Sequence, residues 1–392
     1  MWTISIGRSR SLHRSLSLAT ILAGLALGLV LQAGAAKAQT GGSVRPPANA
    51  VDQIVPGPVA ATGAERGGNY DIELWKKLRQ SVQGSVSIPD KKSATLIQSD
   101  GEEWRNLRTG LLPQYGAYAL GAMLALLALF YLVRGRIAIE HGLSGRTITR
   151  FTDLERTGHW LLAISFLILA VTGLNVLYGR AVLMPLIGKE AFATVAGAGK
   201  LVHNYVAFAF MAGLALTLVL WLRHNSPNRH EVVWLVKAGG LLPRHSHPPA
   251  RKFNAGQKIL FWLVMLGGVA ISLTGLALMF PFEMPLFANT FAVLNSVGLS
   301  LPGEVTPMQE MQLAATWHGI VALFLVCVIL GHIYIGTIGM QGAFDAMGSG
   351  EVDLNWAKEH HGLWVEEEMA REREAASAPA PAAAGRQAQP AG

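Results

Sequence analysis

The sequence predicts an all-α membrane protein, on three observations. The first is composition: 51% of the 392 residues are hydrophobic and 15% are charged, where an average soluble domain carries roughly 25% charged residues. The second is distribution. The apolar residues form five uncharged blocks, between Arg108 and Arg134, Arg156 and Arg180, Lys200 and Arg223, Lys258 and Glu283, and Glu310 and Asp345. Each supplies the roughly 20 residues a spanning helix needs. The third is where the charges fall, and it starts at the N-terminus. Arg8, Arg10 and Arg14 precede an apolar run from Leu16 to Leu31, and Ala36, Lys37 and Ala38 follow it. That is the layout of a signal peptide: basic region, apolar region, small-residue cleavage site. Cleavage is expected after Ala38, making 1–38 the signal peptide, with a retained signal anchor as the alternative. Either way the next residues lie outside the cytoplasm.

With 39–110 outside, the first span (111–133) runs inward and the others alternate. The loops at 134–157 and 223–258 are then inside and carry five and seven Lys/Arg, while the outside loops at 180–200 and 281–311 carry three and none. This is a positive-inside asymmetry, independent of the signal-peptide layout that sets the orientation. It also accounts for the basic balance, because removing the four positive charges of 1–38 lowers the formal net charge from +7 to +3. No nucleic-acid module is needed. Residues 39–110 read as a polar, loosely structured, exported extension, with a short helix expected from Asp71 to Gln80. Residues 345–392 read as a cytoplasmic tail. It has a charged stretch from Glu366 to Glu374 and an Ala/Pro-rich end expected to be disordered. The single cysteine, Cys327, excludes a disulfide framework and any Cys-ligated zinc or iron–sulfur site within this chain.

Eight of the twelve histidines are expected to carry no chemistry. His13 leaves with the signal peptide. His141, His224, His230, His245, His247, His360 and His361 fall in inner loops or the tail and read as solvated. The His245/His247 pair has no carboxylate or cysteine nearby in sequence to complete a zinc site.

The other four, His159, His203, His318 and His332, lie inside spans. An ionisable residue there is a functional hypothesis by default, against the plain alternative of a hydrogen bond to a neighbouring helix. They sort by depth into an outer pair, His203 with His318, and an inner pair, His159 with His332. His318 and His332 are 14 residues apart, roughly 21 Å of rise along nearly one helix face. Two ligands on one face, each matched at its depth by a ligand on another helix, is what two stacked bis-imidazole haems need. Zinc would gather its ligands in one cluster. A proton relay would recruit Asp or Glu, and the five apolar blocks contain none. Gly158, Gly173, Gly213, Gly275, Gly319 and Gly331 would let helices or a flat macrocycle approach the backbone, as ordinary small-residue packing would. A faint repeat links Trp160, Thr172, Gly173 and Leu174 to Trp262, Thr274, Gly275 and Leu276, 102 residues on. It aligns His159 with Phe261. The third and fifth spans overlay through His203 and His318.

From about Arg150 to Trp364 the sequence resembles the gamma subunit of respiratory formate dehydrogenases, the membrane cytochrome b subunit. The matching pieces are Thr157-Gly-His-Trp160, Leu201-Val-His203, Phe253-Asn-Ala-Gly-Gln-Lys258 followed by Phe261-Trp262, His318-Gly319, Gly331-His-Ile-Tyr334 and Trp356-Ala-Lys-Glu-His-His361. The resemblance covers somewhat over half the chain. It implies a four-helix di-haem cytochrome b domain at 150–344, with the first span as an additional helix. Carried over, His203 and His318 ligate an outer haem iron, and His159 and His332 an inner one. Electrons come from an exported iron–sulfur beta subunit, fed by a Mo- or W-dependent catalytic alpha subunit, and pass inward to quinone, menaquinone or ubiquinone. The quinone site falls by the inner haem at Asn254, Gly256 and Gln257. Capping of the fourth span is the plain alternative for Asn254 and Gln257. Arg156 and Lys258 could meet inner haem propionates, but positive-inside placement alone accounts for them. The implied setting is the bacterial inner membrane. The chain has no molybdopterin or Cys-cluster motif, so it is not the formate-oxidising subunit. A transporter with histidine proton relays is the reading from another class. The cytochrome b subunit of a membrane-bound hydrogenase is the close alternative, against which the Asn254–Lys258 run and the Trp356–His361 segment weigh.

Overall fold

The computed structural model describes residues 101–240 and 246–377, with two short strands, β1 (Gly84–Ser85) and β2 (Thr95–Ile97). The expected signal peptide, the helix at Asp71–Gln80 and the Ala/Pro-rich end fall outside the described residues. The described chain is overwhelmingly helical. Five helices are long and apolar enough to cross a membrane: α1 (Leu112–Arg134), α2 (Asp153–Val182), α3 (Lys189–Trp221), α4 (Ala255–Met279) and, after the short α5 (Leu286–Ser296), α6 (Pro307–Tyr334). α7 (Leu354–Ser377) follows. Large apolar side chains such as Leu132, Val171 and Val219 are exposed, a surface suited to lipid rather than water.

Short polar signals start these helices. Thr152 and Glu155 form a reciprocal capping box before α2: Glu155 Oε2 accepts the Thr152 N–H at 2.9 Å, and Thr152 Oγ1 accepts the Glu155 N–H at 3.3 Å. Asn254 with Gln257 does the same for α4, and Thr306 with Gln309 for α6. Asp353 Oδ1 accepts the Asn355 N–H at 2.8 Å at the start of α7. Apolarity does not set the other boundaries. Gly101–Asn106 is already helical and runs through a π turn, Leu107–Leu111, into α1, so the helix starts ten residues before the expected span. α3 likewise starts at Lys189, well before the apolar block that opens after Lys200. Backbone hydrogen bonding carries a helix past the point where lipid-compatible residues begin.

The chain divides into two compact units, and each of the five long helices supplies residues to both. The first unit holds the described residues up to Ala119, Leu161–Ala212 and Val269–Leu323. There, Tyr178 Oη donates to the Pro113 carbonyl at 2.9 Å. Gly116 is a required glycine, because a Cβ would lie 2.6 Å from both Leu323 Cδ1 and Tyr178 Oη. The buried carboxylate of Glu310 accepts the N–H groups of Phe287 and Ala288, at 2.9 and 2.6 Å, and so caps α5.

The second unit holds Leu120–Trp160, Gly213–Gly268 and the chain from Phe324 on. A two-stranded antiparallel ribbon, β3 (Thr147–Thr149) with β4 (Glu351–Asp353), pairs Ile148 with Val352. It seats α7 against the loops. The Trp364 N–H reaches the Ala250 carbonyl at 3.3 Å, and His361 Nδ1 donates to the Arg251 carbonyl at 2.8 Å. Glu359 accepts the N–H groups of Glu140 and His141, each at 3.0 Å, and the His141 ring at 2.9 Å. Arg150 is buried with its guanidinium over the rings of Phe151, Trp356 and Trp364, 5.1–5.4 Å from their centres. Burial lowers its pKa to about 9 against the opposing pull of Glu155.

One expectation changes here. Residues 345–377 fold as part of the second unit and bury Trp356, His361, Trp364 and Val365. His360 and His361 are therefore not solvated: the His361 ring is fully enclosed and His360 Nε2 is buried. Their neighbours Glu359 and Lys358 gave the segment a charged look that hid its aromatic face.

Candidate functional site

The four span histidines meet as two pairs, one in each unit. In the first unit, His203 on α3 faces His318 on α6, ring centres 6.3 Å apart with planes at 63°. In the second, His159 on α2 faces His332 on α6, ring centres 6.2 Å apart with planes at 69°. At these distances the rings of each pair stand edge-on to one another. A metal held between two imidazole nitrogens at about 2.0 Å from each would set the ring centres about 6.3 Å apart. The pairs therefore fit an iron with an imidazole on each side. Among the described residues no group of three or more His, Cys, Asp or Glu gathers to hold a metal ion, so an all-protein zinc cluster is not what the histidines build.

Local sequence places each ring. In the first unit, Thr172 Oγ1 lies 2.8 Å from His203 Nδ1, and Thr274 Oγ1 lies 3.1 Å from His318 Nδ1. The glycine after each threonine leaves room for the ring: a Cβ on Gly173 would sit 3.5 Å from His203 Cε1, and one on Gly275 would sit 3.4 Å from His318 Cε1. In the second unit, His159 packs edge-on to Trp160, with ring centres 5.3 Å apart, and near Trp221 at 6.4 Å. His159 Nδ1 is buried without a partner among the described residues. Gly158 faces Leu216, which a Cβ would approach to 3.3 Å.

The sequence had signalled the threonines only as part of a repeat, with no role attached. Serine and threonine are too common in membrane helices for their type alone to mark a site. A carboxylate also stands closer than the uncharged blocks implied. α2 begins at Asp153 and so carries Glu155, one turn before His159. Glu155 Oε1 accepts the Trp221 indole N–H at 3.0 Å and the Lys252 ammonium at 2.6 Å. These partners hold it as an ion pair at the helix start.

Asn254 and Gln257 sit together as the α4 capping box. Gln257 Oε1 accepts the Asn254 N–H at 3.1 Å, and Asn254 Oδ1 accepts the Gln257 N–H at 2.9 Å. Both side-chain oxygens are thereby used, and each residue still has its amide nitrogen to offer. Gly256 lies under Trp234, whose ring a Cβ would approach to 2.9 Å. The two basic residues are engaged elsewhere. Arg156 donates through Nε to the Met347 carbonyl at 3.2 Å and through Nη1 to Asp153 at 2.9 Å, and Nη2 reaches the Gly348 carbonyl. Lys258 is buried and pairs with Glu231 and the Ser226 carbonyl. His247 does meet a carboxylate, Glu140, at 2.7 Å, which the local sequence did not reveal. Tyr334 packs against Phe130, ring centres 6.1 Å apart, and its hydroxyl is buried.

A family profile described as prokaryotic cytochrome b561 matches residues 150–350, the stretch that carries all four span histidines. Named relatives match a similar length. The nitrate-inducible formate dehydrogenase cytochrome b556 subunit of Escherichia coli K12 is 26% identical over 224 residues, 57% of this chain and 92% of that protein. A second formate dehydrogenase cytochrome b556 subunit of the same strain is 28% identical over 222 residues, 56% and 93%. The formate dehydrogenase cytochrome b556 subunit of Haemophilus influenzae is 27% identical over 226 residues, 57% and 84%.

Proposed function

This chain belongs to the prokaryotic cytochrome b561 family, and on that premise we propose that it is the membrane-anchoring di-haem cytochrome b subunit of a formate dehydrogenase. The family implies haem b. The observation that carries the finer reading is the spacing of the two histidine pairs, 6.3 and 6.2 Å between ring centres, each the span of one iron with two imidazoles. Haem at each pair supplies a one-electron carrier. The names of the relatives support formate dehydrogenase as the complex, with an exported iron–sulfur subunit as electron donor and a Mo- or W-dependent subunit oxidising formate.

In this reading α2, α3, α4 and α6 form the four-helix haem-binding bundle, with α1 added to it. His203 and His318 bind the haem nearer the exported side, and His159 and His332 the one nearer the cytoplasm. The Lys/Arg asymmetry of the loops supports that orientation in the bacterial inner membrane. Quinone is reduced beside the second pair. There the amide nitrogens of Asn254 and Gln257 donate to a quinone carbonyl, and Gly256 lets the Trp234 indole close against the helix start. Proton uptake comes from the cytoplasmic side.

The test is purification of the intact membrane complex, followed by haem counting and a reduced-minus-oxidised spectrum. Two low-spin b haems per chain and a copurifying formate-oxidising subunit are expected. A colourless chain would sink the haem reading, and a copurifying hydrogenase would replace the formate reading with the hydrogenase one.

A further inference from the structure

Thr172 and Thr274 stand 102 residues apart and make the same three contacts. Each hydroxyl faces Nδ1 of a histidine on the next long helix, His203 at 2.8 Å and His318 at 3.1 Å. Each also lies 2.8 Å from the carbonyl four residues back in its own helix, Ile168 and Ala270, and 3.1 and 3.2 Å from the carbonyl three back, Leu169 and Ile271. A hydroxyl has one proton to give, and a carbonyl only accepts. The hydroxyl gives its one proton to these carbonyls, so Oγ1 accepts Nδ1–H from the histidine; the Leu169 and Ile271 carbonyls also accept from the His203 and His318 rings and favour the same tautomer. The imidazole is then fixed as the Nδ1–H tautomer, with the lone pair on Nε2 turned away from the threonine. A hydrogen-bonded N–H also makes the opposite nitrogen a stronger donor to a metal, which favours the oxidised iron. The equivalence extends along the repeat. Trp160 and Trp262 each send the indole N–H to a backbone carbonyl, Met347 at 2.9 Å and Asn225 at 3.1 Å.

The equivalence stops at the second pair. The alignment that overlays His203 on His318 puts Thr217 opposite His332, and the repeat puts Phe261 opposite His159. His159 Nδ1 is buried without a partner among the described residues. The duplicated Thr-Gly step therefore serves one pair only.

We propose that Thr172 and Thr274 are positioning residues for His203 and His318: they fix the tautomer that presents Nε2 to iron, and they lower the reduction potential of the haem held by this pair. The proposal rests on the two-haem reading, and its direction favours passing electrons onward from this haem. Neither threonine touches the iron.

The test uses the full complex with Thr172→Val, Thr274→Val, the double variant, and Thr274→Ser. Haem count, redox titration followed at both haems, and low-spin electron paramagnetic resonance are read together. In each valine variant one of the two midpoint potentials should rise, with the other unmoved. The expected size is a several-fold change in the reduction equilibrium, where tenfold corresponds to about 59 mV for one electron. The double variant should shift the same haem further, and Thr274→Ser should restore the parent value. Loss of one haem in Thr274→Val that serine restores also supports the role. Unchanged potentials in both valine variants, an equal shift at both haems, or a defect that serine does not repair would overturn it. Fewer than two haems in the parent complex would instead overturn the reading beneath it.

Discussion

The two histidine pairs have nearly the same ring separation, yet they are built differently. His203 and His318 sit on matching halves of a duplicated pattern, each with a threonine at Nδ1 and a glycine under the ring. His159 and His332 have no such symmetry. His159 is wedged between Trp160 and Trp221, and its unit is closed by loops, a ribbon and α7 rather than by helix repeats. Aromatic packing places one pair and paired hydrogen bonds place the other. The first pair follows the repeated pattern. The second departs from it, and the α4 capping box, Trp234 and the Glu155–Lys252 ion pair lie in its unit.

The largest effect that tests this contrast is loss of a ligand. His318→Ala should remove one haem and leave the other with its spectrum and potential, and His332→Ala should do the reverse. Each pair lies within its own unit, so the loss should stay local. Haem counts on the two purified variants check this. If either substitution empties both sites, the pairs are not separate constructions.

Quinone chemistry is expected beside the second pair only. Asn254→Asp isolates it. The carboxylate keeps an oxygen for the cap, where a negative charge near a helix N-terminus is favourable, but it loses the amide donor. Quinone reduction should fall by tenfold or more, with haem content and thermal stability held. Asn254→Ala should lose about 1 kcal/mol of cap as well. A fully active Asn254→Asp complex would leave Asn254 a cap and nothing more.

The contrast was legible in part from the sequence. Charge exclusion over five apolar blocks located the long helices, because lipid tolerates few exceptions. Four imidazoles stood out against that background, and helical rise sorted them by depth. The partners of those imidazoles did not stand out, since Thr172 and Thr274 look like any membrane threonine until His203 and His318 are seen against them. The fold of 345–377 was hidden for the opposite reason. Lys358, Glu359 and the acidic run from Glu366 advertise solvent, while Trp356, His361 and Trp364 face inward at spacings interrupted by a kink at His361. Reciprocal capping at Asn254 and Gln257 was readable as an alternative, since Asn-x-x-Gln before an apolar run has that local meaning.

The closure of the second unit by α7 gives a smaller, pH-dependent effect that the first unit should lack. Burial lowers the pKa of His360 to about 4 and that of His361 well below its ordinary 6.5. Arg150 lies against both and pushes the same way, while Glu359, itself held ionised by His141, opposes it at His360. Undocked, both histidines take up protons near pH 6.5; docked, they do not. Docking is therefore fully supported above about pH 6.5 and weakens as pH falls toward 4, by up to about 1.4 kcal/mol per pH unit for each histidine. Hydrogen exchange in 354–377, corrected for its intrinsic pH dependence, should show protection lost between pH 7 and 5. Glutamine at both positions should flatten the profile. Equal loss of protection around His203 and His318 would mean that the two regions respond as one.

The smallest expected effect asks whether the two halves of the first pair are truly equivalent. Gly173→Ala and Gly275→Ala would each add a Cβ at 3.5 and 3.4 Å from the imidazole Cε1 of the facing histidine. Those are contact distances, not clashes, so the ring keeps its place. Replacing glycine by alanine inside a helix is otherwise favourable by up to about 1 kcal/mol. Both variants should therefore keep two haems, shift the first-pair spectrum slightly and equally, and melt no lower than the parent. If alanine is silent at 173 but costs the haem at 275, the duplication positions its two histidines by different means, and the symmetry of the threonine contacts is only apparent.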